Sequence, residues 1–181
     1  MKSKSIEFLK ENIRTIPNFP KEGILFRDVT TLMRNPDAFN LSLQLLAQEL
    51  LGAQVDYIAG IESRGFIFGA PLAQMLGVGF IPIRKKGKLP CDVHQVEYTL
   101  EYGTDLLEID KSIEAKGKKI VLIDDLLATG GTVMAAAKLV RLCGGEVHKA
   151  LFVVDLPELG AAEKLNAENI AYNALISYEG H

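Results

Sequence analysis

The sequence predicts an α/β fold with a mainly parallel β-sheet flanked by helices. Three observations carry this. Strand, polar turn and helix recur along the chain. Residues 120–123 are a continuous apolar run rich in β-branched side chains, as expected of a strand buried on both faces, and residues 147–154 read as another, largely apolar strand. Two of the strands run into short polar turns that open helices, at Glu62-Ser63-Arg64-Gly65-Phe66 and at residues 124–132. Open α/β sheets bind ligands at such strand ends.

The elements follow in chain order. Residues 5–14 put Ile6, Leu9 and Ile13 on one helical face, with Ser5 as cap and Pro17 and Pro20 as the stop. Residues 20–30 read as a short irregular arm. Its Phe26, beside Arg27, is either a platform for a ring or one more core aromatic. Asn35 caps a helix that Pro36 opens, running to about Leu51 with Gly52 as its stop. Leu41, Leu45 and Leu46 mark its buried side. Residues 55–61 form the first core strand, and a helix from the 62–66 turn runs to about Leu76.

Residues 79–84 form the next strand; Pro82 counts against it and the apolar run for it. Arg84, Lys85, Lys86 and Lys88 then place four cations in five residues at the head of a long polar connection. A charge cluster suits a solvated face, but a long loop beside an anion site suits a lid. Residues 98–104 alternate weakly, as a hairpin arm of that lid. Residues 111–118 are a short charged connection. The helix after the central strand reaches Cys143 and stops at Gly144 and Gly145. Residues 147–154 lead to Asp155-Leu156-Pro157, residues 160–166 form a short helix, and residues 170–178 a late strand near the sheet edge.

Composition bounds the function classes. The 181 residues are 48% hydrophobic with a net charge of −3. That fits one domain over residues 1–181 with a sizeable core. A mildly acidic balance gives no support for nucleic-acid binding. No apolar run reaches membrane-spanning length and no basic-then-apolar leader is present, so a cytoplasmic protein without membrane attachment is expected. Cys91 and Cys143 form no C-x-x-C, which argues against a structural zinc or a disulfide framework. His94, His148 and His181 share no ligand spacing.

Residues 119–132 organise the rest. Asp124 and Asp125 stand at the carboxyl end of the central strand. Ala128, Thr129, Gly130, Gly131 and Thr132 form a small-residue turn into a helix, where exposed N–H groups and the helix dipole suit a phosphate. The turn is not a P-loop, because Thr132 rather than Lys follows Gly131, and it lacks G-x-G-x-x-G. Adjacent acids on an extended segment point to opposite sides, so both need not meet one metal. They suit the two hydroxyls of a ribose whose 5′-phosphate rests in the turn. A strand end with solvated acids and an ordinary Gly-rich turn is the competing reading.

Residues 121–132 closely resemble the phosphoribosyl-pyrophosphate (PRPP) motif of type I phosphoribosyltransferases, in its adenine-specific version. Gly-Ile-Leu-Phe-Arg-Asp at 23–28, Glu-Ser-Arg-Gly-Phe at 62–66 and Leu-Glu-Tyr-Gly at 100–103 resemble the same group. So does Arg-Lys-Lys-Gly-Lys-Leu-Pro at 84–90, whereas residues between Cys91 and Glu97 do not match closely. The likeness runs from the Phe26 segment to the last strand. It implies the type I phosphoribosyltransferase fold, with an N-terminal hood at about residues 17–34 and a flexible lid at about 84–104. It also implies transfer of ribose 5-phosphate from PRPP to adenine, giving AMP and pyrophosphate in purine salvage.

Roles follow from the resemblance residue by residue. Leu25 reads adenine with its backbone, Phe26 stacks on the base, Arg27 lies alongside, and Leu156 covers the other face. Glu62, Ser63 and Arg64 form the pyrophosphate loop, with a cis peptide expected at Glu62–Ser63. Arg84 and Lys88 assist from the lid, in cis or from a partner subunit. Asp124 and Asp125 hold the ribose, and residues 128–132 the 5′-phosphate. Glu101, with Tyr102 as its neighbour, contacts the base and takes its proton; Glu101 and Arg64 are the catalytic candidates. Magnesium is implied, held mainly by PRPP and water rather than by protein ligands, and a homodimer is typical of the group. Two alternatives stand beside this: transfer to hypoxanthine, guanine or xanthine, and a PRPP-sensing regulator. The regulator needs a DNA-binding domain for which 181 residues leave no room.

Overall fold

The computed structural model describes residues 2–99 and 103–180. The first helix, α1 (Lys2–Glu11), begins before Ser5, which therefore lies inside it rather than capping it. Asn12 ends it by donating its side-chain amide to the Phe8 carbonyl at 2.9 Å. The expected irregular arm is instead an antiparallel ribbon of β1 (Arg14–Pro17) and β2 (Leu25–Asp28), with Thr15 opposite Arg27 and Ile16 opposite Phe26. Asp28 ties the ribbon down. It accepts from Arg14 Nη2 at 2.6 Å and from the Thr30 amide at 3.0 Å, at the start of α2 (Thr30–Arg34). Asn35 then caps α3 (Pro36–Gln48) through the Asp37 and Ala38 amides, as the Asn-Pro pair predicts.

The main sheet has seven strands. In sequence these are β3 (Tyr57–Ile61), β4 (Gly79–Lys85), β5 (Val93–Thr99), β6 (Thr104–Asp110), β7 (Lys119–Leu127), β8 (Glu146–Asp155) and β9 (Tyr172–Ser177). Their spatial order is β5-β6-β4-β3-β7-β8-β9. The five strands β4, β3, β7, β8 and β9 are parallel, and the β5–β6 hairpin adds an antiparallel edge. The late strand β9 is at the other edge, as expected. Helix α4 (Arg64–Leu76) connects β3 to β4, α5 (Gly131–Leu142) connects β7 to β8, and α6 (Ala161–Ala167) precedes β9.

The apolar residues of β7 and β8 are explained by two cores, one on each face. Ile120, Leu122, Ala150 and Phe152 enter the core shared with α5 and α6. Val121, Ile123, Leu151 and Val153 enter the core shared with α1, α3 and α4. Pro82 is tolerated in β4 because β6 pairs only with Arg84 and Lys85, leaving the outer edge beside Pro82 without a ladder to interrupt. Two expected boundaries move. Residues 93–96, read as polar loop, belong to β5, and β7 runs beyond Ile123 to Leu127 because Leu126 and Leu127 pair with Val154 and Asp155.

Strand order dictates where a ligand goes. From β3 the chain crosses to β4 on one side; from β7 it crosses to β8 on the other. The crevice at the carboxyl ends of β3 and β7 is therefore the switch point of the sheet. The helix-opening turns of both polar motifs meet there. Helix α4 lies so close to β7 that a Cβ on Gly65 would stand 2.6 Å from the Ile123 carbonyl oxygen.

Candidate active site

The cavity at the switch point holds about 200 Å³ and is lined by Arg64, Phe152 and the chain from Asp124 through Val133 apart from Gly131. A second cavity of about 480 Å³ continues from it along Glu62, Ser63, Lys85 and Tyr98, sharing Arg64, Asp124, Asp125 and Thr132. Sequence reasoning had assigned most of these residues to one site, and the fold brings them together.

The phosphate-sized end is built from backbone. Gly130, left-handed at φ +80°, turns the chain into α5, and no side chain caps that helix. The first intrahelical bond is from the Met134 amide to the Gly130 carbonyl, so the preceding amides face the turn without helical partners. Lys164 on α6 holds the turn from outside, donating to the Thr129 carbonyl at 2.6 Å. Strand β5 holds it from above: a Cβ on Gly131 would meet the Thr99 carbonyl oxygen at 2.9 Å.

The acids are less independent than alternation suggests. The Asp125 amide donates to Asp124 Oδ1 at 2.9 Å, which ties the two acids together. Asp125 is only 4% exposed and forms a close ion pair with Arg64, Nε to Oδ2 2.5 Å. Adjacent residues of a strand alternate, yet Asp124 and Asp125 both line both cavities. Burial foremost, then the Asp125 charge, pushes the Asp124 carboxyl well above its ordinary value of 3.8.

That shift has a sign. The folded chain holds a proton on Asp124 that the unfolded chain releases near 3.8, so stability falls as pH rises from there through the higher folded value. Asp124→Asn removes the cost and is expected to raise the melting temperature at neutral pH, by about 2–4 °C for each kcal/mol recovered. At low pH the two proteins should melt alike. Melting curves across pH check this; a neutral-pH loss of stability would reverse the assignment.

On the pyrophosphate side the Glu62–Ser63 peptide is cis, as expected. Glu62 does not present its carboxylate to the cavity as a free group. It accepts from Arg84 Nε at 3.1 Å and from the Lys85 amide at 2.9 Å, and these bonds hold its pKa below the ordinary value against the opposing effect of burial. Arg84 and Lys88 are linked to each other, Nη1 to carbonyl, 3.3 Å, and the cation that lines the cavity is Lys85. Successive residues of a strand face opposite sides, so β4 turns Lys85 to the cavity rather than Arg84. Strand phase at the end of β4 is the signal that sequence reasoning missed.

Tyr98 was also missed. It is 8% exposed, donates to Asp105 Oδ2 at 3.3 Å and is in hydrogen-bond contact with Thr132. Burial, with the Asp105 charge behind it, pushes its phenol up to about 12. Asp105 also pairs with Lys85 at 3.4 Å, so the β5–β6 hairpin is tied to both ends of the cavity. The expected base carboxylate, Glu101, and its neighbour Tyr102 lie outside the described residues.

The expected base-binding residues converge less directly. Phe26 packs edge-on against Phe19, centroids 5.2 Å apart. Leu156 is buried, and its amide donates to the Leu127 carbonyl at 2.9 Å, beside the cavity. Arg27 places its guanidinium over the Tyr178 ring. Among the described residues no group of three or more His, Cys, Asp and Glu is arranged to hold a metal ion.

A helix-opening turn, a pair of acids and an Arg–Lys cavity thus lie together at the switch point, the arrangement that the resemblance to phosphoribosyltransferases implies. The comparisons agree. The phosphoribosyl transferase domain family model matches residues 29–173. An adenine phosphoribosyltransferase of Edwardsiella ictaluri is 51% identical over 179 residues, covering 99% of this chain and 98% of its own. The crystal structure of adenine phosphoribosyltransferase from Thermoanaerobacter pseudethanolicus superposes with a TM-score of 0.91 at 49% identity, over 96% of this chain and 99% of that one. The Saccharomyces cerevisiae enzyme, complexed with adenine and an imino-altritol bisphosphate, gives 0.89 at 39% identity over 96% and 99%. The chain belongs to the adenine phosphoribosyltransferase family.

Proposed function

We propose how this chain's residues carry out the reaction of its family. That reaction is transfer of the 5-phosphoribosyl group from PRPP to adenine, giving AMP and pyrophosphate. The amides and hydroxyls of residues 128–132 take the 5′-phosphate. Asp124 and Asp125 take the ribose hydroxyls. Ser63, Arg64 and Lys85 face the leaving pyrophosphate, while Glu62 acts indirectly by holding Arg84 and the Lys85 amide. Lys88 and Arg84 stand further back on the lid. Leu25, Phe26 and Leu156 enclose the base, and Glu101 receives its proton.

The observation that carries this reading is the continuous pair of cavities joined at Arg64, Asp124, Asp125 and Thr132. One end suits a monoester and the other an anion held by cations. C1′ develops positive charge as pyrophosphate leaves, and fixed cations around the leaving group stabilise that separation. Magnesium fits this site as a hard cation beside the oxygen-rich Asp124–Asp125 pair. Asp124 and Asp125 would hold its water shell, and when bound it neutralises pyrophosphate oxygens. The reading includes a homodimer acting in the cytoplasm, the usual form in this family.

Product analysis tests the proposal. Purified protein mixed with PRPP, magnesium and one purine at a time should convert adenine to AMP and leave hypoxanthine, guanine and xanthine largely unreacted. A site that pairs adenine's donor and acceptor rejects a base with the opposite pattern by about 10⁴-fold. Equal use of hypoxanthine would overturn the adenine assignment.

A further inference from the structure

We infer that the ring of Tyr178 is a positioning element for base binding, carrying the Arg27 side chain and thereby fixing the hood over the Leu156 side of the base pocket. The inference rests on the reading of residues 25–27 and Leu156 as the base site.

Arg27 is held at two points. Its Nη1 donates to Thr15 Oγ1 at 2.7 Å across the β1–β2 ribbon, and its Cζ stands 4.1 Å from the centroid of the Tyr178 ring. Its Nε is buried with no hydrogen-bond partner among the described residues. The guanidinium is thus located by one hydroxyl and one aromatic face. Arg27 lies on β2 between Phe26 and Asp28, so its side chain sets where the adjoining backbone runs.

Tyr178 is fixed from the other direction. It follows β9, and its amide donates to the Asp155 carbonyl at 3.1 Å. The next residue, Leu156, donates its own amide to Leu127, which lines the phosphate cavity. Lys10 of α1 also approaches the ring, at 5.4 Å from its centroid. A path of direct contacts therefore runs from hood to Arg27, Tyr178, Asp155, Leu156 and the cavity wall. Burial raises the Tyr178 pKa while the Arg27 charge pulls it back, as expected for a half-buried phenol facing a cation. The attraction comes from the ring quadrupole. Phenylalanine retains that ring face and leucine does not.

The test compares wild type with Tyr178→Phe, Tyr178→Leu, Arg27→Gln and the Arg27→Gln/Tyr178→Leu double variant. KM is measured for adenine at saturating PRPP and for PRPP at saturating adenine. Tyr178→Leu should raise the adenine KM about 5–10-fold, the size expected of a lost cation–π contact, and leave the PRPP KM within about twofold. Tyr178→Phe should behave as wild type in both. Arg27→Gln should repeat the split, and the double variant should be no worse than the stronger single one, because both remove one contact. If Tyr178→Leu does not fold, Arg27→Gln beside Tyr178→Phe reads the same contact. Joint elevation of both KM values, an unchanged adenine KM in Tyr178→Leu, or failure of Tyr178→Phe to preserve wild-type values overturns the inference. A wild-type protein that ignores adenine instead overturns the underlying assignment of the base site.

Discussion

Arg64→Ala is expected to weaken PRPP and pyrophosphate binding by about 10–100-fold, the cost of one or two charge-assisted hydrogen bonds. Arg64 opens α4 directly after the cis Glu62–Ser63 peptide and lines both cavities. Its ion pair with Asp125 engages Nε, one of the five N–H donors of a guanidinium. Removing it costs twice. The anion loses its forked donor, and Asp125, 4% exposed, loses its counter-charge beside the Asp124 carboxyl. The stability loss should be smaller than for a fully buried pair, because the Arg64 side chain is 40% exposed and water screens it. Arg64→Lys keeps charge without the fork and should fall between. Calorimetric titration with pyrophosphate and PRPP, paired with melting curves, checks both parts. Unchanged affinity in the alanine variant would remove Arg64 from the pyrophosphate site.

Gly131→Ala is expected to lower affinity for AMP by about 100-fold, although it adds a single methyl group. The new Cβ would lie 2.9 Å from the Thr99 carbonyl oxygen, which is backbone and has no rotamer to escape through. Either β5 lifts or the N-terminus of α5 recedes. Lifting β5 parts Tyr98 from Thr132; receding carries the turn's amides away from the phosphate. A monoester gripped by several backbone amides loses them together, which accounts for about 3 kcal/mol. Titration with AMP and with ribose 5-phosphate should show the same loss for both, since the change touches the phosphate end. A loss confined to AMP would point to the base site and contradict the expectation.

Much of the site was legible because its residues are local in sequence. Asp124 through Thr132 lie on one strand, turn and helix, and the chemistry of that arrangement is readable without a fold. Two-sided burial of β7 was legible for the same reason: Ile120 to Ile123 had to face apolar neighbours on both sides, and does. What escaped depends on partners far along the chain. Residues 14–17 and 25–28 have no strong strand signal alone and become strands by pairing with each other. Glu108, 2% exposed on β6, is satisfied inside by Gln95 of β5, which donates to it at 2.8 Å. The choice of Lys85 over Arg84 turns on strand phase at a boundary that sequence places only loosely. The Arg27–Tyr178 contact joins residues at opposite ends of the chain.

The near-touch of Gly65 against the Ile123 carbonyl carries a consequence for divergence within this fold. Main chain meets main chain there, so the gap between the 62–66 turn and the Asp124–Asp125 pair is a fixed ruler, indifferent to side-chain choice. The ribbon at residues 14–28 meets the end of the chain through side chains instead, Arg27 against Tyr178. Ring preference can therefore drift by substitution in those parts while the gauge for the sugar phosphate keeps its calibration.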